Sequence, residues 1–267
     1  MGLSLQTFPS TEQAKAALEA NRASRYLGGG TLLVRSANEG EVSFSTFVRS
    51  TDPALTSIEI SAGSARLGAS LTMSAIIGAR ALAVVSPAAR AVGGPAIRNM
   101  ATIGGNLYAP APYGDFTVAL LALDATLEID GNDIPIGAFL AGRDDTYARS
   151  IVRAVRFAIP SSDQFRFLKV SRVKPKGVSV LSICAVLEEQ DGLITSARIA
   201  YGCMADRPMR AAEVEAALAG KPRSQQGIAD ALALATKGTA PITDAIASAW
   251  YRSEVLPVHL GRLLLTA

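Results

Sequence analysis

The sequence predicts an α+β protein, and three observations carry that reading. A helix and a strand come first, a run of strands follows, and the chain closes with strands and then helices, which is not the regular βαβ alternation of a parallel α/β sheet. The 267 residues suffice for one large domain or two smaller ones and for a substantial buried core. The composition, 49% apolar and 18% charged, is globular and carries no signature of disorder.

The elements follow in order. Ser10, with Gln13 three residues later, forms a capping-box pattern that opens a helix, and Ala14, Ala17 and Leu18 give its apolar face through about Ala20. SRYLG (24–28) reads as a strand entering a glycine cluster, whereas GEVSFSTFVRS (40–50) is ambiguous. LTSIEIS and SARLGASLT form a strand pair around Ala62-Gly63, with Ile58, Ile60 and Leu67 alternating. MSAIIGARAL is a short helix. The stretch 86–115 is rich in Gly and Pro and is expected to be irregular; loops of that length are functional or disordered, and this one is too apolar for disorder. DFTVALLALDA is a helix with Asp115 in capping position, and TLEIDGNDIPI a hairpin turning at Gly131-Asn132. SIVRAVRFAIP is a strand ending at Pro160, and SSDQ (161–164) marks a boundary. Beyond it come the strand FRFLKVSR and two long strands around Asp191-Gly192. Three helical stretches follow, starting at MRAAEVEAALAG, QQGIADALAL and ITDAIASAW. Gly220 stops the first of these, and the last is expected to break or bend near Pro257.

Composition also excludes functions. The net charge of +3 is small and its basic residues are scattered, so no nucleic-acid partner is expected. No apolar run of membrane-spanning length occurs, the N-terminus lacks the pattern of a secretory signal, and Cys184 and Cys203 are isolated, so buried thiols and a cytoplasmic protein are expected. One histidine, His259, and two distant cysteines do not make a zinc or iron–sulfur site, and no catalytic residue or metal ligand is assigned.

Two glycine clusters, RYLGGGTLL (25–33) and VGGPAIRNMATIGGNL (92–107), call for a reason, because glycine costs folding entropy. Backbone N–H groups in such turns form anion nests, and a missing Cβ lets a phosphate approach. Neither cluster has the Lys-Ser/Thr pair of a Walker A loop or the G-x-G-x-x-G fingerprint of a dinucleotide fold. On composition alone, two loops converging on one pyrophosphate and two tight turns remain open.

The wider pattern is more specific. RYLGGGTLL, RLGASLTM and AVGGPAIRNMATIGGNLYAPAPYGDFTVALLALDATLEI, continued by SIVRAVRFAIP, FLKVSRVK, RPMRAAEVEAALAG and WYRSEVLPVHLGRLLLTA, resemble the FAD-binding medium subunit of the molybdenum hydroxylases. These are the flavoprotein subunits of enzymes like carbon-monoxide dehydrogenase and xanthine dehydrogenase. The resemblance covers essentially the whole chain. It implies a two-subdomain FAD-binding fold of the vanillyl-alcohol-oxidase (PCMH) type over 1–160, divided at 55/56, and a C-terminal α+β domain, a sheet with packed helices, over 166–267.

It also implies cofactor-binding residues. Leu27, Gly28, Gly29, Gly30, Thr31, Leu32 and Leu33 match the loop that holds the FAD pyrophosphate through amides and the Thr31 hydroxyl. Thr102, Ile103, Gly104, Gly105 and Asn106 match the loop on the other side of the phosphates and ribityl chain. Asp115 matches a carboxylate that contacts the cofactor, and Lys169 a lysine near the flavin ring, where a cation favours negative charge on the reduced flavin. The residues alone leave alternatives: an N-cap for Asp115, a solvated strand position for Lys169, a donor to loop carbonyls or to phosphate for Arg98, and packing or stacking for Tyr108 and Tyr113. Two positions depart from the family pattern: Gly28 stands in place of an alanine and Leu32 in place of an aspartate or similar polar residue, which removes a side-chain contact but no amide.

By the same resemblance, this chain carries FAD, while the molybdenum cofactor lies on a large partner chain and [2Fe–2S] clusters on a small one. Electrons pass from the clusters to the FAD and on to NAD or another acceptor, in a dimer of heterotrimers. A self-contained FAD-dependent oxidase of the same fold, and a non-catalytic assembly subunit that has lost FAD, are the alternatives.

Overall fold

The computed structural model describes residues 2–173 and 177–266. Lys174, the last residue of the FLKVSRVK motif, and Met1 and Ala267, the chain ends assigned to the two expected domains, lie outside the described residues. The fold mixes helix and sheet, as the α+β reading expects, in three sheets.

The first sheet is parallel. Strand β1 (Ser4–Phe8), helix α1 (Thr11–Ala20), strand β2 (Ser24–Tyr26), helix α2 (Leu33–Asn38) and strand β3 (Thr46–Ser50) give the order β1-β3-β2. Ser10 caps α1 by accepting from the Gln13 amide, and Ala14 and Leu18 bury its apolar face. Both β1 and α2 carry no clear period and are absent from the sequence reading. The ambiguous stretch 40–50 supplies β3, the central strand, paired to both β1 and β2.

The second sheet is antiparallel. It begins with β4 (Ile58–Ser61) and β5 (Ser64–Gly68), which turn at Ala62-Gly63, both at positive φ. Helix α3 (Met73–Gly78) follows. The stretch expected to be irregular holds three short helices instead: α4 (Ser86–Ala91), α5 (Pro95–Arg98) and α6 (Ile103–Leu107). The reason is local. Pro87 and Pro95 sit in first turns, where their missing N–H costs nothing, and Thr102 caps α6 by accepting from Gly105 N at 3.0 Å.

Helix α7 (Asp115–Ala122) is buried along its entire length. Asp115 is not its N-cap: Gly114, at φ +91°, holds that position, and the Asp115 carboxylate is bonded elsewhere. Strands β6 (Thr126–Ile129) and β7 (Asn132–Pro135) turn at Asp130-Gly131, one residue earlier than expected, because those two residues take the positive φ of a tight hairpin. Helix α8 (Ile136–Ala141) and strand β8 (Val152–Ala158) complete the order β4-β5-β8-β6-β7.

The third sheet comprises β9 (Phe165–Ser171), β10 (Ser179–Gln190), β11 (Leu193–Gly202) and β12 (Met209–Arg210), in the order β12-β11-β10-β9. Asp191-Gly192, at positive φ, make its central hairpin. Met209 and Arg210 pair with β11 and so are strand, not helix; helix α9 starts at Ala212 (Ala212–Leu218), and Gly220 ends it at φ +72°. Helices α10 (Ala229–Ala233) and α11 (Ala249–Leu265) cover one face. The last helix is shorter than expected at its start and unbroken at Pro257. Asp244 accepts from the amides of Ile246 and Ala247 and from the buried Arg252, which holds residues 244–247 in a turn, and Ser248 then caps α11.

Helix α7 packs with β10, β11 and α4, so one buried cluster runs from the second sheet into the third through Phe116, Val118, Leu120, Cys184 and Val186. Among the described residues, no helix is long and apolar enough to cross a membrane.

Candidate functional site

A cavity of about 860 Å³ opens where the three sheets meet, within the size range of small-molecule sites. Its walls come from the β2–α2 loop, from the segments 92–97 and 101–106, from the loop before α7, and from the starts of α7 and β10.

The two glycine loops touch, and glycine permits it. A Cβ on Gly29 would lie 1.6 Å from the Met100 carbonyl oxygen, and one on Gly28 would meet the Thr102 hydroxyl at 3.0 Å. Gly29 is thus required for backbone-to-backbone contact between the loops. Their amides differ in use. In the second loop they are taken: Ile103 N donates to Leu71 O, Gly104 N to Ala69 O, Gly105 N to Thr102 Oγ1 and Asn106 N to Thr102 O. In the first loop the N–H groups of Gly28, Gly29, Gly30, Thr31 and Leu32 take no partner among the described residues, and all five residues line the cavity. Gly30, at φ +73°, reverses the chain within this row. Successive open amides of this kind form an anion-binding concavity.

The expected residues fall as follows. Gly28 to Leu33, Thr102, Gly104, Gly105, Asn106, Asp115 and Lys169 all line the cavity. Leu27 and Ile103 are not in its wall: the Leu27 amide donates to Val48 O as β2 ends, and the Ile103 side chain is fully buried in the main core. Asn106 is buried, and its Oδ1 has no hydrogen-bond donor among the described residues, while its Nδ2 donates to Thr102 O. A buried acceptor of this kind calls for a partner, and the cavity is where one fits.

Lys169, on β9, and Asp115, at the start of α7, converge. Lys169 Nζ lies 2.8 Å from Asp115 Oδ2 and also donates to Ala91 O at 2.8 Å. Asp115 Oδ1 accepts from Ser179 Oγ at 2.6 Å. The Lys169 ammonium therefore has one N–H left over on a cavity-lining side chain.

Sequence reasoning missed several wall residues. Arg25 and Arg149 line the cavity and take no carboxylate partner among the described residues; Arg149 instead spans the carbonyls of Asn21 and Ser24 after α1. The wall carries Arg25, Arg149 and Lys169 against one carboxylate, Asp115, besides Arg35, which pairs with Glu39, so the wall is net positive. No local motif marks them. Arg98 donates to the carbonyls of Arg90 and Gly93 and so stabilises its loop. Tyr108 lines the cavity and packs: its ring meets Phe139 edge-on at 5.3 Å, its one hydroxyl proton is shared between Tyr147 O and Ser150 O, and burial raises its pKa. Tyr113 stands at the mouth, 36% exposed, with its hydroxyl 3.3 Å from Arg35 Nη1. His259 is on α11 and does not line the cavity.

Comparison with known proteins gives this arrangement a context. The family described as the FAD binding domain in molybdopterin dehydrogenase matches residues 5–161, and that described as the CO dehydrogenase flavoprotein C-terminal domain matches 166–267. The glyceraldehyde dehydrogenase medium chain of Sulfolobus acidocaldarius is 28% identical over 176 residues, 64% of this chain and 63% of its own length. The carbon monoxide dehydrogenase medium chain of Afipia carboxidovorans is 29% identical over 210 residues, 73% of this chain and 72% of its own. Among solved structures, a carbon monoxide dehydrogenase from Hydrogenophaga pseudoflava superposes with a TM-score of 0.91 at 21% identity, covering 99% of this chain and 96% of that one, which shows the same fold.

Proposed function

This chain belongs to the family of FAD-binding subunits of the molybdopterin dehydrogenases, oxidoreductase subunits of the molybdenum hydroxylase type, and from that premise we propose that it is the electron-transfer subunit of a cytoplasmic heterotrimer. In this reading it accepts electrons from [2Fe–2S] clusters on a small partner chain, downstream of a large molybdenum-cofactor chain, and delivers them to NAD or another acceptor. Two heterotrimers pair in the full assembly, and each of the two glycine-rich halves of the site contributes to one bound FAD.

The observation that carries the proposal is the row of open amides from Gly28 to Leu32 on a net-positive cavity wall. Those amides and the Thr31 hydroxyl suit a diphosphate, which is doubly charged and needs donors on several oxygens. Arg25 and Arg149 add charge to the same wall. Asn106 Oδ1 suits a hydroxyl donor such as the ribityl chain carries. Because the amides from Ile103 to Asn106 are satisfied within the protein, the second loop contributes shape and the Asn106 side chain. Lys169 presents its remaining N–H to the cavity, held there by Asp115 and Ala91 O. When bound, FAD supplies a two-electron carrier that exchanges electrons singly or in pairs, and the protein supplies binding and electrostatics.

The test is an absorbance spectrum of the purified chain before and after acid precipitation. Flavin bands, with FAD released to the supernatant, are expected. A colourless chain that takes up no added FAD overturns the proposal, and oxidation of an organic substrate by the isolated chain overturns its division of labour.

A further inference from the structure

Ser179 opens strand β10, is fully buried, and is not marked by any pattern in the sequence. Its hydroxyl donates to Asp115 Oδ1 at 2.6 Å, short for a hydroxyl–carboxylate bond, and the other carboxylate oxygen takes the Lys169 ammonium at 2.8 Å. We infer that Ser179 is a positioning residue: through Asp115 it fixes the Lys169 ammonium against the cavity and thereby sets the reduction potential of the FAD bound there. The inference rests on the FAD-binding reading above.

The physical argument is one of shared charge. Asp115 is the counter-ion of Lys169, and the more of its negative charge is met by other donors, the more of the ammonium's field reaches the cavity. Ser179 supplies such a donor. Ser179 is fully buried, with Cys203 Sγ 3.7 Å from its carbonyl oxygen, and an alanine in its place offers Asp115 no donor. Beside a largely buried ion pair the dipole of one hydroxyl is only partly screened. Without it, Asp115 draws more fully on Lys169 and the cavity becomes less positive. A less positive site favours the reduced, more negative flavin less.

The Ser179 hydroxyl is engaged by Asp115, and the residue lies on β10, outside both glycine loops. Its loss is therefore expected to leave one FAD per chain and to move the potential downward. The change should be about tenfold in the preference for reduced over oxidised FAD, the scale of one hydrogen bond to a charged group, which for a two-electron couple is about 30 mV.

The experiment is a spectrophotometric redox titration of the FAD-loaded full chain against reference dyes, comparing wild type with Ser179→Ala. Ser182→Ala is the control: Ser182 is buried on the same strand, and its hydroxyl has no partner among the described residues, so its variant should keep the wild-type potential. If Ser179→Ala does not fold, the isosteric pair Ser179→Thr and Ser179→Val replaces it. The Thr variant keeps the hydroxyl and is expected near the wild-type value, and the Val variant below it. Equal potentials in Ser179→Ala and wild type, or in the Thr and Val variants, with FAD bound in each, overturn the inference alone. A wild-type chain that binds no FAD overturns it together with the function it rests on.

Discussion

Lys169 of β9 and Asp115 of α7 form a largely buried ion pair, with Nζ 2.8 Å from Oδ2 and side-chain exposures of 12% and 7%. Residues 54 apart in sequence meet here because α7 starts, and β9 nears its end, against the cavity. A buried pair contributes little net stability by itself, but removing one partner strands the other as an uncompensated charge at a cost of about 3 kcal/mol or more. Lys169→Met and Asp115→Leu are each expected to lose that much in urea unfolding of the FAD-free chain. The double variant should lose clearly less than the sum of the two. Additive losses would show that the residues do not act as a pair.

Gly29 is the glycine on which the two loops depend. Its missing Cβ leaves room for the Met100 carbonyl, which a methyl group would meet at 1.6 Å. Backbone, unlike a side-chain tip, cannot rotate away, so Gly29→Ala must push the loops apart at a cost of about 1–3 kcal/mol and misplace the open amides. FAD content of the purified variant is expected to fall below half. Gly137 is the contrasting case: it lies within α8 with nothing near its missing Cβ, so Gly137→Ala should raise stability by up to about 1 kcal/mol and leave FAD content unchanged.

Much of the fold was legible where local chemistry decides. Ser10 and Gln13 mark the start of α1, and Asp191-Gly192 mark the central hairpin of the third sheet, because a cap and a tight turn are written in adjacent residues. Strand β1 was not legible: its side chains are mostly exposed on both faces, and its place comes from parallel pairing with β3, a long-range partner. The short helices α4 to α6 look like loop from composition, since Gly and Pro signal turns until their positions within first turns and caps are known. For the candidate site, the glycine clusters were visible but their division of labour was not. Whether an amide is open or taken depends on Ala69 and Leu71, which no motif links to Gly104 and Ile103. Arg149 and Ser179 are single residues in ordinary surroundings, and only the fold brings them to the cavity.

Arg35 and Tyr113 bridge the mouth of the cavity, from α2 to the loop before α7. Arg35 also pairs with Glu39 at 2.8 Å on an exposed surface, so this bridge is of the weak, solvent-screened kind. Tyr113→Phe removes the phenolic oxygen and keeps the ring. FAD release, followed by the return of flavin fluorescence on dilution, is expected to quicken by no more than about fivefold. An increase of a hundredfold would assign the tyrosine a direct hold on the cofactor.

The two thiols give the chain an alkaline limit. Burial pushes the Cys203 thiol up to about 12, with the nearby Asp115 carboxylate adding to the effect, and burial alone holds Cys184 well above its ordinary value. In the unfolded chain both ionise near the ordinary thiol value of about 8.5. Both folded values are raised, so the stability that each contributes is complete below that pH and is lost as pH climbs toward the folded value. Above about pH 8.5 the native state holds protons that the unfolded state has released, and unfolding becomes easier by up to about 1.4 kcal/mol per pH unit for each thiol. Unfolding free energy measured from pH 8 to 10 should therefore fall, and it should fall less steeply in the Cys184→Ala, Cys203→Ala double variant. Below pH 8 native chain should not react with a thiol reagent until denaturant is added; rapid labelling of folded protein would place one of these sulfurs within reach of solvent.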